Sequence, residues 1–181
     1  DMETLMPSGG ASARADVVGA LQAAHHERLT SPAYAKALGR LCDLRSGEPE
    51  AGLSPLEESL ARGQWRRWTR ARRLPGTLVE ETARAASASQ QAWSQARRRS
   101  DFRMLQPHLE KLVALKREAS KRLGGRHPYD PLLDEYEPGM TVAELDPLLG
   151  ALAAPLKDLA LRARGRGRRC AALESPYRVG D

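Results

Sequence analysis

Apolar residues in this chain recur three or four positions apart, in segments that open on Ser-Pro pairs, and that combination points to helices. Ser31-Pro32 and Ser54-Pro55 each set a hydroxyl just before a proline. The hydroxyl can accept a bond from an orphan amide of the first turn, and proline suits the first helical position because it has no N–H to leave unpaired. Glu57 follows Ser54, and Glu144 follows Thr141, at capping-box spacing. Aromatic residues make up only 4% of the chain and β-branched residues are few, so the core must be built from Leu and Ala. Strand-like alternation is nearly absent. The expected fold is all-α: an antiparallel multi-helix bundle or array of five to seven helices.

The elements can be placed along the chain. A first helix is predicted from Ser12 to Leu29, with Val17, Val18, Leu21 and Leu29 on one face. A second runs from the Ser31 cap to about Leu44, and SGEPEAG follows as a loop. The third opens at Ser54, carries Leu56, Leu60, Trp65 and Trp68, and breaks at Leu74-Pro75. The fourth reaches Arg99, with Val79, Thr82, Ala83, Ala86, Gln90 and Trp93 as its stripe. Its small middle residues would admit a close neighbour. Asp101-Phe102 turns the chain. A fifth helix starts at Pro107, places Leu109, Leu112, Val113 and Leu123 at core spacing, and ends at Gly124-Gly125 in a left-handed cap. YDPLLDEY is a short helical turn and EPGM a loop. The last helix carries Leu145, Leu148, Leu149, Leu152, Leu156 and Leu159, with kinks or breaks expected at Pro147 and Pro155. Short loops should make successive helices antiparallel neighbours.

Residues 1–161 thus form one helical domain, and 162–181 an Arg/Gly-rich tail read as disordered or irregular. The net charge is +6, and the five Arg within RARGRGRR account for most of it. The body is close to neutral, which weakens a nucleic-acid reading. Cys42 and Cys170 are too few for a disulfide framework or a cysteine metal cluster, and Cys42 reads as a buried thiol. No apolar run is long enough to span a bilayer and no secretory leader stands out, so a cytoplasmic location is expected.

Side chains that could carry chemistry are present but not grouped. His25 and His26 are adjacent, so on a helix they point about 100° apart and cannot readily share one metal. HHERL lacks the second His of an HExxH zinc motif. His108 and His127 are isolated. Glu57-Glu58, Glu80-Glu81 and Asp134-Glu135 sit in first turns or loops, where the helix dipole favours negative charge. Arg62, Arg66, Arg70 and Arg73 form a basic stripe beside Trp65 and Trp68. Such a stripe suits nucleic acid, and equally a solvated face over a Trp-lined core. The residues support no catalytic, cofactor-binding or metal site in this chain.

Seven blocks, taken in order, resemble the N-terminal part of the Taq-type thermostable carboxypeptidases, which are metal-dependent zincin exopeptidases. They are DMETLMPSGG, LTSP, LSPLEESLAR, RLPGTLVEE, QAWSQAR, DFRMLQPHLEKLVALKREAS and YDPLLDEYEPGMTVAELD. The resemblance covers residues 1–161 and fades in the tail. It implies helices that wall a deep groove over the metal and gate substrate entry. It also implies that DMETLMPSGG begins inside a block, and that this is a truncated metallocarboxypeptidase. HExxH, the downstream metal-binding Glu and the motifs for the substrate carboxylate lie beyond the matched part in that family. RHPYD and CDLRS are similar to family active-site motifs but fall in the wrong blocks, so no residue role is carried over.

The expectation is therefore a chain inactive on its own, with zinc or another divalent metal belonging to full-length relatives. A groove wall leaves an apolar face open, so self-association or binding to a complete family member is expected. Two alternatives remain: a stand-alone helical interaction or oligomerisation module, and a basic nucleic-acid-binding helical protein.

Overall fold

The computed structural model describes residues 7–164. Most of the Arg-Gly tail, from residue 165 on, lies outside the described residues, as do residues 1–6. Seven α-helices and no strand occur among the described residues: α1 Ala11–Thr30, α2 Pro32–Leu38, α3 Pro55–Ala71, α4 Gly76–Arg99, α5 Gln106–Leu123, α6 Asp130–Leu133 and α7 Val142–Arg164. The all-α expectation holds. The chain divides into two compact units, Asp1–Leu132 and Leu133–Asp181.

The helix starts follow the cap chemistry. Ser31 Oγ accepts from Tyr34 N at 3.2 Å, with Pro32 as first helical residue of α2. At α3 the capping box is complete: Ser54 Oγ accepts from Glu57 N, and Ser54 N donates to Glu57 Oε2 at 2.8 Å. Thr141 N likewise donates to Glu144 Oε2 at 2.9 Å before α7.

In the first unit α1 packs chiefly along α4, and α4 also packs on α5. Asp16 meets Arg84, Gly19 lies against Glu80, and His26 lies against Gly76, so α1 and α4 run antiparallel. This departs from the expected pairing of successive helices. The cause is the small-residue stripe anticipated on α4. Ala15 and Gly19 on α1 are buried, as are Ala85 and Ser89 on α4. Backbones come close where side chains are small, and α2 and α3 pack elsewhere.

A second centre of burial lies between α2, the turns after it, and α3. Leu38, Cys42, Ala61 and Trp68 form its core, flanked by Tyr34, Ala35, Leu44 and Trp65. Polar tips close its edge: Tyr34 Oη donates to Gln64 Oε1 at 2.8 Å and Trp65 Nε1 to the Leu44 carbonyl at 3.0 Å.

Several expectations are corrected. α2 stops at Leu38, not near Leu44. After it the Leu38 carbonyl accepts from Cys42 N, and Cys42 pairs with Pro49 in an isolated antiparallel bridge. A tight turn with its own hydrogen bonds thus displaces further helix. Leu109 and Val113, expected at core spacing, are exposed, as are Val17 and Leu21 on the predicted face of α1 and Leu56 and Leu60 on α3. On α4 the buried stripe is Leu78, Ala85, Ser89 and Ala96, offset from the one predicted, because this helix has a neighbour on two sides. Gly124 has the positive φ expected of a cap, but its ψ of 171° takes it out of the left-handed helical region into one that glycine alone adopts readily.

In the second unit, a turn ending at Gly139 leads into α7. This helix is unbroken through Pro147 and Pro155. Proline removes one backbone bond and crowds the preceding turn, yet its φ is helical, so the flanking bonds can carry the helix across.

Candidate functional site

The side chains singled out for chemistry are mostly committed to holding the fold. Both carboxylates of Glu57-Glu58 are engaged: Glu57 closes the α3 cap and Glu58 pairs with Arg62 at 3.6 Å. Glu80 pairs with Arg84 at 2.9 Å, and Glu81 reaches Lys111 on α5 at 3.1 Å. Asp134 accepts from Gly139 N at 2.8 Å and so fixes the turn before α7. None of these pairs sets two carboxylates facing each other in a closed space, as acid/base chemistry requires.

The four histidines stay apart. His25 and His26 lie late on α1, His108 in the first turn of α5, and His127 in the loop before α6. His127 is used locally: its Nδ1 accepts from Tyr129 N at 3.1 Å, and its amide donates to Asp130 Oδ2 at 2.9 Å. Ser120 Oγ donates to the Pro128 carbonyl and ties this loop to α5. Among the described residues no group of three or more His, Cys, Asp or Glu side chains is placed to hold a metal ion. The donor set therefore does not fit a catalytic zinc, which needs three protein ligands and an open position.

The basic stripe on α3 is divided by the fold. Arg62 Nη1 is 3.4 Å from Glu48 Oε2, and the same guanidinium reaches Glu58. Arg73 Nη1 donates to the Leu123 carbonyl at 2.6 Å and pins the end of α3 to the end of α5. Beside the stripe, Arg72 stacks over the Trp68 ring, 4.4 Å from its centroid. Arg62, Arg72 and Arg73 stay exposed, but each is tied to a different partner, so the stripe is not a set of uncommitted cations. The Glu58–Arg62 and Trp68–Arg72 contacts follow i,i+4 spacing, whereas the Arg73 contact joins residues 50 apart and is invisible to spacing.

Cys42 is almost fully buried. Burial, followed by the nearby Asp43 and Glu50 carboxylates, pushes its thiol pKa up. It is a poor nucleophile and a core side chain. No described helix is long and apolar enough to cross a membrane.

The described architecture is thus a helical scaffold whose ionisable groups serve caps, pins and ion pairs. Its relatives say what such a scaffold belongs to. The family described as carboxypeptidase Taq (M32) metallopeptidase matches residues 1–178. The chain belongs to that family. It is 35% identical over 193 aligned positions to thermostable carboxypeptidase 1 of Thermus thermophilus, covering 99% of this chain and 37% of that enzyme. A solved Pyrococcus furiosus carboxypeptidase superposes with a TM-score of 0.71 at 28% identity, covering 92% of this chain and 33% of that one. Trypanosoma cruzi metallocarboxypeptidase 1 superposes with a TM-score of 0.66 at 30% identity, covering 91% and 33%. The chain spans about a third of the length of these relatives.

Proposed function

We propose that residues 1–161 are the helical groove wall of a metallocarboxypeptidase that removes C-terminal residues from peptides, and that this stretch alone does not cleave them. One observation carries the reading. Large apolar side chains stand exposed on three helices of the first unit: Val17 and Leu21 on α1, Leu56 and Leu60 on α3, Leu109 and Val113 on α5. Exposed apolar rows of this kind mark surfaces that another body covers. In this reading the covering body is the metal-bearing remainder of the enzyme. It supplies HExxH, which occurs nowhere in the 181 residues. Zinc or another divalent ion bound there lowers the pKa of its water and polarises the scissile carbonyl. This chain's share is to shape the groove and limit entry. The cytoplasm is its proposed location.

The test is an incubation with two peptides, one free and one blocked at its C-terminus, in zinc or cobalt. No release of C-terminal amino acid is expected from either. Chelator-sensitive release from the free peptide alone would overturn the reading.

A further inference from the structure

No residue of α7 is buried, although the helix is rich in leucine. At about 100° per residue, Leu145, Leu148, Leu149, Leu152, Leu156 and Leu159 fall within an arc of about 100°. That is the apolar stripe of an amphipathic helix. Leu148, Leu149, Leu152, Leu156 and Leu159 are each about half exposed. A helix in water draws most of its stability from packing such a stripe, so this one lacks its main source.

Charge selects the occupant. Around the helix axis, Arg162 lies about 40° beyond the Leu148 edge of the stripe, and Arg164 and Lys157 about 60° and 80° beyond the Leu149 edge. Long cationic side chains in those places can lay their stems along the apolar stripe and lift their heads above it. Glu144 and Asp146 stand at the other end of α7, where Glu144 closes the cap. Asp158 pairs with Arg162 at 3.3 Å, an exposed i,i+4 contact of the kind that contributes little. The sequence stays basic past the helix: Lys157, Arg162, Arg164, Arg166, Arg168 and Arg169 stand against Asp158 alone. A protein surface offers anions at particular points. An anionic bilayer offers apolar depth below and anions on every side, which is what a stripe bordered by cations on both edges matches.

We propose that α7 lies in the surface of an anionic bilayer, with its leucine stripe among the upper acyl chains and Lys157, Arg162 and Arg164 at the phosphate and carboxylate headgroups. No described helix is long and apolar enough to cross a membrane, so the attachment is peripheral and reversible. This inference goes beyond the catalytic reading and does not depend on it, because it concerns a helix separate from the exposed rows of the first unit.

The experiment floats the full chain with vesicles of phosphatidylcholine mixed with phosphatidylserine, and with vesicles of phosphatidylcholine alone. The unaltered chain binds the mixed vesicles, binds the neutral ones roughly tenfold or more weakly, and is released from the mixed ones by rising salt. Leu152→Gln combined with Leu156→Gln weakens binding by roughly thirtyfold or more, by removing apolar surface from the stripe. Ala154→Gln, on the opposite face of the same helix, leaves binding unchanged and is the control. Lys157→Gln combined with Arg164→Gln keeps every leucine and weakens binding to the mixed vesicles by roughly twenty-five-fold, about fivefold for each cation, so the proposal stays testable even if the leucine pair costs helix. A chain that floats with neither vesicle overturns the proposal and leaves the stripe to another protein. Binding that survives the leucine pair also overturns it, because the arginines alone would then hold the chain. So does binding indifferent to the cation pair and to salt.

Discussion

The indole of Trp65 occupies the space that a side chain on Gly47 would need. A Cβ added to Gly47 would come within 2.5 Å of the ring, and the residue has a φ of +79°. Ordinary side chains avoid both the conformation and the contact. The turn and the ring are held together, since Trp65 Nε1 donates to the Leu44 carbonyl three residues before the glycine.

Gly47→Ala should therefore lower stability by about 2–4 kcal/mol, combining a strained backbone with a displaced ring. Urea unfolding followed by tryptophan fluorescence would measure it. Loss of under half a kcal/mol, with the fluorescence unchanged, would show that the turn and α3 do not fit as described.

Gly19 gives the opposite expectation for one substitution and the same for another. Its added Cβ would sit 3.4 Å from Arg84 Nε and Glu80 Cγ, an ordinary contact. Gly19→Ala should be neutral or stabilise by up to about 1 kcal/mol, through helix propensity. Gly19→Leu should destabilise by about 1–3 kcal/mol, because it forces α1 away from α4. Thermal unfolding of the two variants side by side would separate close approach from mere tolerance.

The α3 cap should be visible in pH. The Ser54 hydroxyl, and then its amide, bond to the Glu57 carboxylate and hold its pKa below the ordinary 4.5. A lowered pKa in the folded state gives stability that is present above the ordinary value and lost as pH falls through the folded one. Glu57→Gln should flatten that acid limb. Ser54→Ala should cost about 1 kcal/mol near neutral pH. Denaturation midpoints at pH 3, 4, 5 and 7 would show both.

Cys42 should react slowly. In a Cys170→Ser background its thiol should be labelled by a disulfide reagent at pH 8 at least roughly tenfold more slowly than after unfolding, since burial disfavours the reactive thiolate. The raised pKa also means that stability declines as pH climbs above the thiol's ordinary 9.0. Equal labelling rates in the folded and unfolded protein would contradict the burial.

Local chemistry was legible in the residues and distant packing was not. Ser31, Ser54 and Thr141 mark helix starts because a cap involves only a few neighbouring residues. The end of α2 was misplaced because Cys42 pairs with Pro49, a choice made by a turn and not by periodicity. Val17 and Leu21 share a face of α1, yet Ala15 and Gly19 are the residues it buries, and on α3 Ala61, Trp68 and Ala71 are buried while Leu56 and Leu60 are exposed. Spacing records which residues share a face but not which face meets a neighbour. For the site, adjacency alone separated His25 and His26 from metal chemistry, while the engagement of Arg62 and Arg73 needed coordinates.

The pairing of α1 with α4 sets an order of events during synthesis. The first long helix leaves the ribosome well before its partner, whose first residue is Gly76. Until α4 emerges, Ala15 and Gly19 have nothing to lie against. The α2–α3 centre, closed by contacts much nearer in the chain, can form while α1 waits. Closing the longer loop costs more entropy and comes later. An arrest that releases nascent chains ending before α4 should yield a protected α2–α3 segment and an N-terminal helix still open to proteases.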